Sequence, residues 1–179
     1  MTPARSLLRT PDAGFEQPFE MLQACHERVH RMLALLARLR EHVAREGCDA
    51  QAQQAARDVM RYFDQAAPQH HLDEELHVFP PLLERGSPEA RGIVRRLQQD
   101  HLDMEARWQD ARVVLGLLAE ARVGRLEPGD EAALAAFASL YDAHIRAEEE
   151  IAYPGAQALL DDPARAAMSA DMMRRRGVK

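Results

Sequence analysis

His70-His71-Leu72-Asp73-Glu74-Glu75-Leu76-His77-Val78-Phe79-Pro80 returns later in the chain as His144-Ile145-Arg146-Ala147-Glu148-Glu149-Glu150-Ile151-Ala152-Tyr153-Pro154. Each copy holds a His-x3-Glu, and each of those glutamates stands six residues before a proline that follows an aromatic residue. A histidine and a glutamate four apart on a helix lie one turn apart on the same face. Two such turns facing each other in a bundle can hold metal.

The repeat reaches further outward. Leu22-Gln23-Ala24-Cys25-His26 resembles Leu97-Gln98-Gln99-Asp100-His101, at an offset of 75 residues against 74 for the two His-x3-Glu histidines. The chain therefore reads as a duplicated helical hairpin, each half carrying a single histidine and then a His-x3-Glu.

With 179 residues the chain is sized for one domain with a substantial core. Only 5% of residues are aromatic, and alanine, leucine, arginine and glutamate dominate, which favours helix over sheet. A net charge of −6 argues against nucleic acid as a partner. No apolar run reaches the roughly 18 residues of a membrane span. The start, Met1–Pro18, lacks the apolar segment and cleavage site of a signal peptide, so the expected location is cytoplasmic. Cys25 and Cys48 form neither a disulfide framework nor a zinc knuckle and are expected to be buried or half-buried thiols.

Residues 1–17 are expected to form an arm, 18–160 a four-helix bundle, and 161–179 a short helix with a basic tail. The first helix is expected over Phe19–Arg45, stopped by Gly47. The second spans about Asp49–Val78, with a kink or break at Pro68. Ser87 and Pro88 mark the start of the third, which runs to about Val123. Asp130 is expected to cap the fourth, which runs to about Tyr153. Asp162-Pro163 opens the C-terminal helix, and Arg174-Arg175-Arg176 reads as a solvated tail. Four long helices with short loops predict an all-α, up-down-up-down bundle. The single histidines fall early in helices one and three and the His-x3-Glu pairs late in helices two and four. Antiparallel packing then gathers all of them at one end.

Imidazole with carboxylate suits iron, manganese or zinc. Four histidines and two glutamates exceed the needs of one tetrahedral zinc and match two metal ions sharing carboxylates. A single histidine on an apolar helix face is ordinarily a packed or surface residue, and one His-x3-Glu means little. Two matched copies weigh against coincidence. His42 and His77, without counterparts in the other half, read as surface, and Trp108 as core.

These residues resemble the hemerythrins and HHE cation-binding domains, over roughly Phe19–Leu160. The resemblance implies a four-helix bundle around a non-haem di-iron centre of the Fe–O–Fe type. Its metal ligands would be His26, His70, Glu74, His101, His144 and Glu148, with Glu74 and Glu148 bridging. The family's spacing to the proline selects His70 over His71, Glu74 over Glu75 and Glu148 over Glu149; the residues passed over fall to outer or surface positions. Oxygen-carrying members have a further histidine one turn after the third-helix histidine. Glu105 stands there, and His30 holds the equivalent place in the first half; both are additional candidate ligands. A carboxylate at position 105 argues against reversible oxygen carriage.

The resemblance thus points to a protein that binds or reacts with oxygen, nitric oxide or peroxide, more a metal- and ligand-binding protein than a conventional enzyme. The alternatives are iron oxidation or delivery for iron–sulfur repair, and a helical interaction module with a structural metal. The repair reading is weakened because His26 leaves no room ahead of it for the cysteine-containing domain some relatives carry. A homodimer fits an acidic helical bundle.

Overall fold

The computed structural model describes residues 16–178, so the arm expected over residues 1–17 falls, but for Glu16 and Gln17, outside the described residues. Helix α1 (Pro18–Glu46) opens on a proline, whose missing N–H is no loss in a first turn. It buries Phe19, Leu22, Val29, Leu36, Leu39 and Val43 along one stripe. It stops at Gly47, whose φ of +85° suits glycine and strains any residue with a Cβ. The next N–H, that of Cys48, donates to the Gly124 carbonyl at 2.9 Å and fixes the turn. Gly47→Ala is expected to cost about 1–3 kcal/mol, read as a lower urea midpoint; an unchanged midpoint would show that the turn relaxes freely.

Helix α2 (Ala50–Asp73) is capped by Asp49, whose carboxylate accepts the Ala52 N–H at 2.8 Å. It runs unbroken through Pro68, contrary to the expected break there. The α-geometry gives way at Glu74 instead. Residues Glu74–Val78 form a π-helical turn, closed by the Phe79 N–H on the Glu74 carbonyl, and α3 (Phe79–Arg85) comes next. Pro80 accounts for this: it has no N–H and its ring crowds the carbonyl four residues back, and one extra residue in the turn relieves the clash.

Helix α4 (Pro88–Ala119) starts as the sequence predicts, with the Ser87 hydroxyl accepting the Ala90 N–H at 3.1 Å. It ends four residues short of Val123, in a turn where Ala121 takes a φ of +55°. Helix α5 (Pro128–Ala138) is capped by Glu127, not by Asp130. Asp130 lies inside the first turn and accepts the Glu127 N–H at 3.0 Å. The fourth leg is interrupted around Ser139–Leu140 and resumes as α6 (Tyr141–Ala147). It then widens into a second π-turn, Glu148–Ala152, and continues as α7 (Tyr153–Leu159). The Tyr153 N–H bonds the Glu148 carbonyl, the counterpart of the Phe79–Glu74 bond, one residue ahead of Pro154. Helix α8 (Asp162–Arg175), capped by Asp161, closes the described chain.

The chain is an all-α bundle with four long legs and a C-terminal helix, with no strand among the described residues. Its apolar interior forms two clusters. One gathers Val29, Phe63, Ala67, Met104, Trp108, Phe137 and Tyr141. The other gathers Leu22, Val78, Phe79, Leu97, Ala152, Tyr153, Met168 and Met172. In every leg, the histidines and glutamates of the repeat lie between residues of the first cluster and residues of the second. A polar band is thus closed off above and below by hydrocarbon. Among the described residues, no helix is long and apolar enough to cross a membrane.

Candidate metal centre

The two π-turns place Glu74 and Glu148 at the middle of the band, both 0% exposed. An extra residue per turn rotates these glutamates relative to the α-helical segment on the C-terminal side, so Phe79 and Tyr153 also point inward. Around the carboxylates stand His26 from α1, His70 from α2, His101 from α4 and His144 from α6, all buried. Donor atoms of His26, His70, Glu74 and Glu148 lie within 4.8 Å of one another. Glu148 faces both sides of the cluster, with Oε2 3.1 Å from His26 Nε2 and Oε1 2.9 Å from His144 Nε2. His70 Nε2 is 3.3 Å from Glu74 Oε1, and His101 Nε2 is 3.5 Å from Glu74 Oε2.

Outer carboxylates orient three of the rings. Glu149 Oε1 lies 2.9 Å from His26 Nδ1, Glu75 Oε1 2.9 Å from His101 Nδ1, and Asp100 Oδ2 3.3 Å from His144 Nδ1. Gln98 donates to the other Glu75 oxygen at 2.7 Å. The arrangement crosses the repeat: the second acid of each π-turn holds the single histidine of the other half. A ring that donates Nδ1–H outward presents the Nε2 lone pair inward, as a metal requires.

Several inward atoms have no hydrogen-bond partner: Glu74 Oε2, both Glu148 oxygens, and Nε2 of His101 and His144. Burial and the neighbouring Glu148 charge push Glu74 well above the usual carboxylate range, against the hydrogen bond from Tyr153. Burial also raises Glu148, but His101, His144 and His26 outweigh it and hold its carboxyl well below that range. One glutamate therefore ionises readily and the second does so only if more positive charge arrives. Burial, with His26 nearby, keeps His70 neutral to well below its ordinary value. Burial and His101 lower His71 to about 3. Burial opposes the charge on His26 and His101, but Glu148 together with Glu149 or Glu75 raises both above the ordinary imidazole value. Unpartnered inward atoms on clustered histidines and glutamates fit a divalent or trivalent cation.

The structure brings together all six of the principal candidates. His30 and Glu105 are exposed and stand outside the cluster. In both helices the buried stripe continues three residues on, at Val29 and Met104, and the position four residues on is left at its exposed edge. Glu105 instead lines a groove between α2 and α4.

Other expectations are revised. His42 and His77 are half-buried beside carboxylates, at 3.0 Å from Asp49 and 2.9 Å from Asp171. Trp108 is core, as expected, and its indole N–H donates to Asp64 at 3.0 Å. Cys25 and Cys48 are free thiols, buried and half-buried. Of the arginine run expected to be solvated, Arg174 is exposed, but Arg175 and Arg176 both bind Asp73, a fully buried carboxylate next to Glu74.

The sequence reading set His71 aside as outer or surface, whereas its nitrogen lies within 4.8 Å of those of His101 and His144; it missed Asp73, Asp100 and the role of Tyr153. The Tyr153 hydroxyl donates to Glu74 Oε1 at 2.5 Å and lies 3.1 Å from His26 Nε2, its ring stacked on His26. Phe79, at the same place in the first half, stacks on His101 without a hydroxyl. The doubled acids Glu74-Glu75 and Glu148-Glu149 are a signal in the repeat itself. Asp73 has none, because Ala147 stands at its counterpart.

With this geometry in place, residues 17–156 match the family model described as the hemerythrin HHE cation binding domain. An uncharacterized protein of Haemophilus influenzae is 32% identical over 151 residues, covering 84% of this chain and 85% of that protein. The chain belongs to the hemerythrin HHE cation-binding family, and its buried His/Glu cluster could hold metal.

Proposed function

We propose that this chain is a non-haem di-iron protein that binds or reacts with a small molecule: oxygen, nitric oxide or peroxide. The observation that carries this is the pair of fully buried glutamates ringed by four buried histidines, with inward oxygens and nitrogens that nothing else satisfies. His26 and His70 would bind one ion, His101 and His144 the other, and Glu74 and Glu148 would span both. Iron, when bound, supplies electrons and an open coordination position.

The protein's own residues do the rest. Glu75, Glu149 and Asp100 hold the rings in their ligating orientation. The two apolar clusters keep bulk water from the centre. Tyr153 holds a proton 2.5 Å from Glu74, on the His26 side. An open groove of about 600 Å³ between α2 and α4, lined by Phe63, Ala67, His71, His101, Met104 and Trp108, gives a small molecule a route inward. Two unpaired thiols suit a reducing, cytoplasmic setting.

The test is elemental analysis of protein produced with ample iron, with optical spectra through anaerobic reduction and re-exposure to air. About two irons per chain, and near-ultraviolet bands that bleach on reduction and return in air, are expected. One zinc, or no metal at all, overturns the proposal.

A further inference from the structure

We propose that the groove between α2 and α4 binds the apolar body of an organic hydroperoxide, with its O–O end toward His101. The inference deepens the small-molecule reading above and rests on it. The groove measures about 600 Å³, within the roughly 300–1,000 Å³ of sites that hold small organic molecules. Dioxygen or nitric oxide needs a space nearer that of one water, about 30 Å³. Of the three reactants proposed, only peroxide can carry an organic group that fills the rest.

The lining is graded along the helices. It runs from Asp64 to Glu75 along α2 and its π-turn, and from Gln98 to Gln109 along α4. At 1.5 Å per residue that is a slot roughly 16 Å long, matched by an extended decyl chain. Toward one end stand His71, His101, Gln98 and Glu75; toward the other, Phe63 and Trp108 are buried and apolar beneath it. Leu72 and Leu102 also line the groove, yet are 39% and 61% exposed. A hydrocarbon chain in the slot would cover part of both. The polar end of the molecule then lies beside His101, whose Nε2 has no hydrogen-bond partner.

The charges lining the groove select a neutral head group. Asp64, Glu75 and Glu105 line it, and among the described residues no lysine or arginine does. A fatty carboxylate would enter against like charge, whereas a hydroperoxide would not. The hydroperoxide ROOH takes two electrons, one from each of two ferrous ions, and two protons from water in the open groove. Its O–O bond breaks, and it leaves as the alcohol ROH and water. The alcohol keeps the same apolar body, so a stable alcohol can stand in for the reactant in a binding test.

Trp108 is the chain's only tryptophan, so its emission reports on the groove. On the full chain, decan-1-ol is expected to change that emission saturably, and decanoate to bind at least about tenfold more weakly. Ala67 lines the groove one turn from both Phe63 and His71. Ala67→Leu, which fills that space, is expected to weaken decan-1-ol at least about tenfold. If that variant fails to fold by circular dichroism, Leu102→Asp, at an exposed position, carries the comparison with a loss of the same sign. No saturable change with decan-1-ol, undiminished affinity in a folded variant, or equal binding of decanoate overturns the proposal. In protein loaded with ferrous iron, decyl hydroperoxide is expected to oxidise the centre faster than hydrogen peroxide at equal concentration; an equal or slower rate overturns the choice of reactant. Saturable decan-1-ol binding by protein that takes up no iron would instead sink the di-iron reading and leave the binding site standing.

Discussion

Glu148→Gln is expected to reduce the metal content from about two ions per chain to one or none, with affinity falling by at least ~100-fold. In the proposed centre Glu148 would span the two ions: its oxygens lie 3.1 Å from His26 Nε2 on one side and 2.9 Å from His144 Nε2 on the other. Glutamine occupies the same space, so the helices have no reason to move. It lacks the charge that balances a cation at a fully buried position, and its amide nitrogen cannot ligate. Loss of a direct ligand should exceed the 10–100-fold usual for loss of an orienting partner. Elemental analysis after purification with ample iron, alongside far-ultraviolet circular dichroism, gives the comparison. A variant that retains both ions at wild-type affinity would show that Glu148 does not bridge them.

The second large effect lies at the C-terminal helix. Changing Arg175 and Arg176 together to methionine is expected to destabilise the protein by about 3–5 kcal/mol, because it strands a buried carboxylate. Asp73 is 0% exposed, and both arginines reach it, Arg176 with Nη2 at 2.6 Å from Oδ2. Asp171 holds the same corner: its Oδ2 is 2.8 Å from Arg175 Nε and 2.9 Å from His77 Nε2, and these partners lower its carboxyl to about 2. For a chain of this size the loss corresponds to a fall of roughly 10 °C in melting temperature. Adding Asp73→Ala to the double variant should recover part of it, since the isolated charge is the source of the cost. If the double variant melts with wild type, Asp73 does not depend on these cations.

Much of this molecule is written in short-range sequence. The helical spacing of Leu22, Val29, Leu36 and Val43, the cap at Ser87 and the stop at Gly47 are local signals, because each depends on residues within one or two turns. The His-x3-Glu repeats are of the same kind. One turn of helix puts both side chains on one face whatever surrounds it, and repetition at a constant offset brings the two turns to one level of an antiparallel bundle. That is why His26, His70, Glu74, His101, His144 and Glu148 could be named together. Even the widened turns have a local cause, in Pro80 and Pro154, although only the bonds from Phe79 to Glu74 and from Tyr153 to Glu148 reveal which way each proline's crowding is relieved.

Other features came from tertiary packing alone. Glu75 orients His101 and Glu149 orients His26, contacts that join residues 26 and 123 apart in sequence. The reach of Arg176 to Asp73 spans 103 residues. His71 sits one residue, about 100° of helix rotation, from His70, and nothing in its neighbours says which side of α2 meets α4. Spacing along a helix determines which side chains share a face. How far each helix is rotated against its neighbours is set by the packing of both apolar clusters at once, so only the folded chain decides which donors meet.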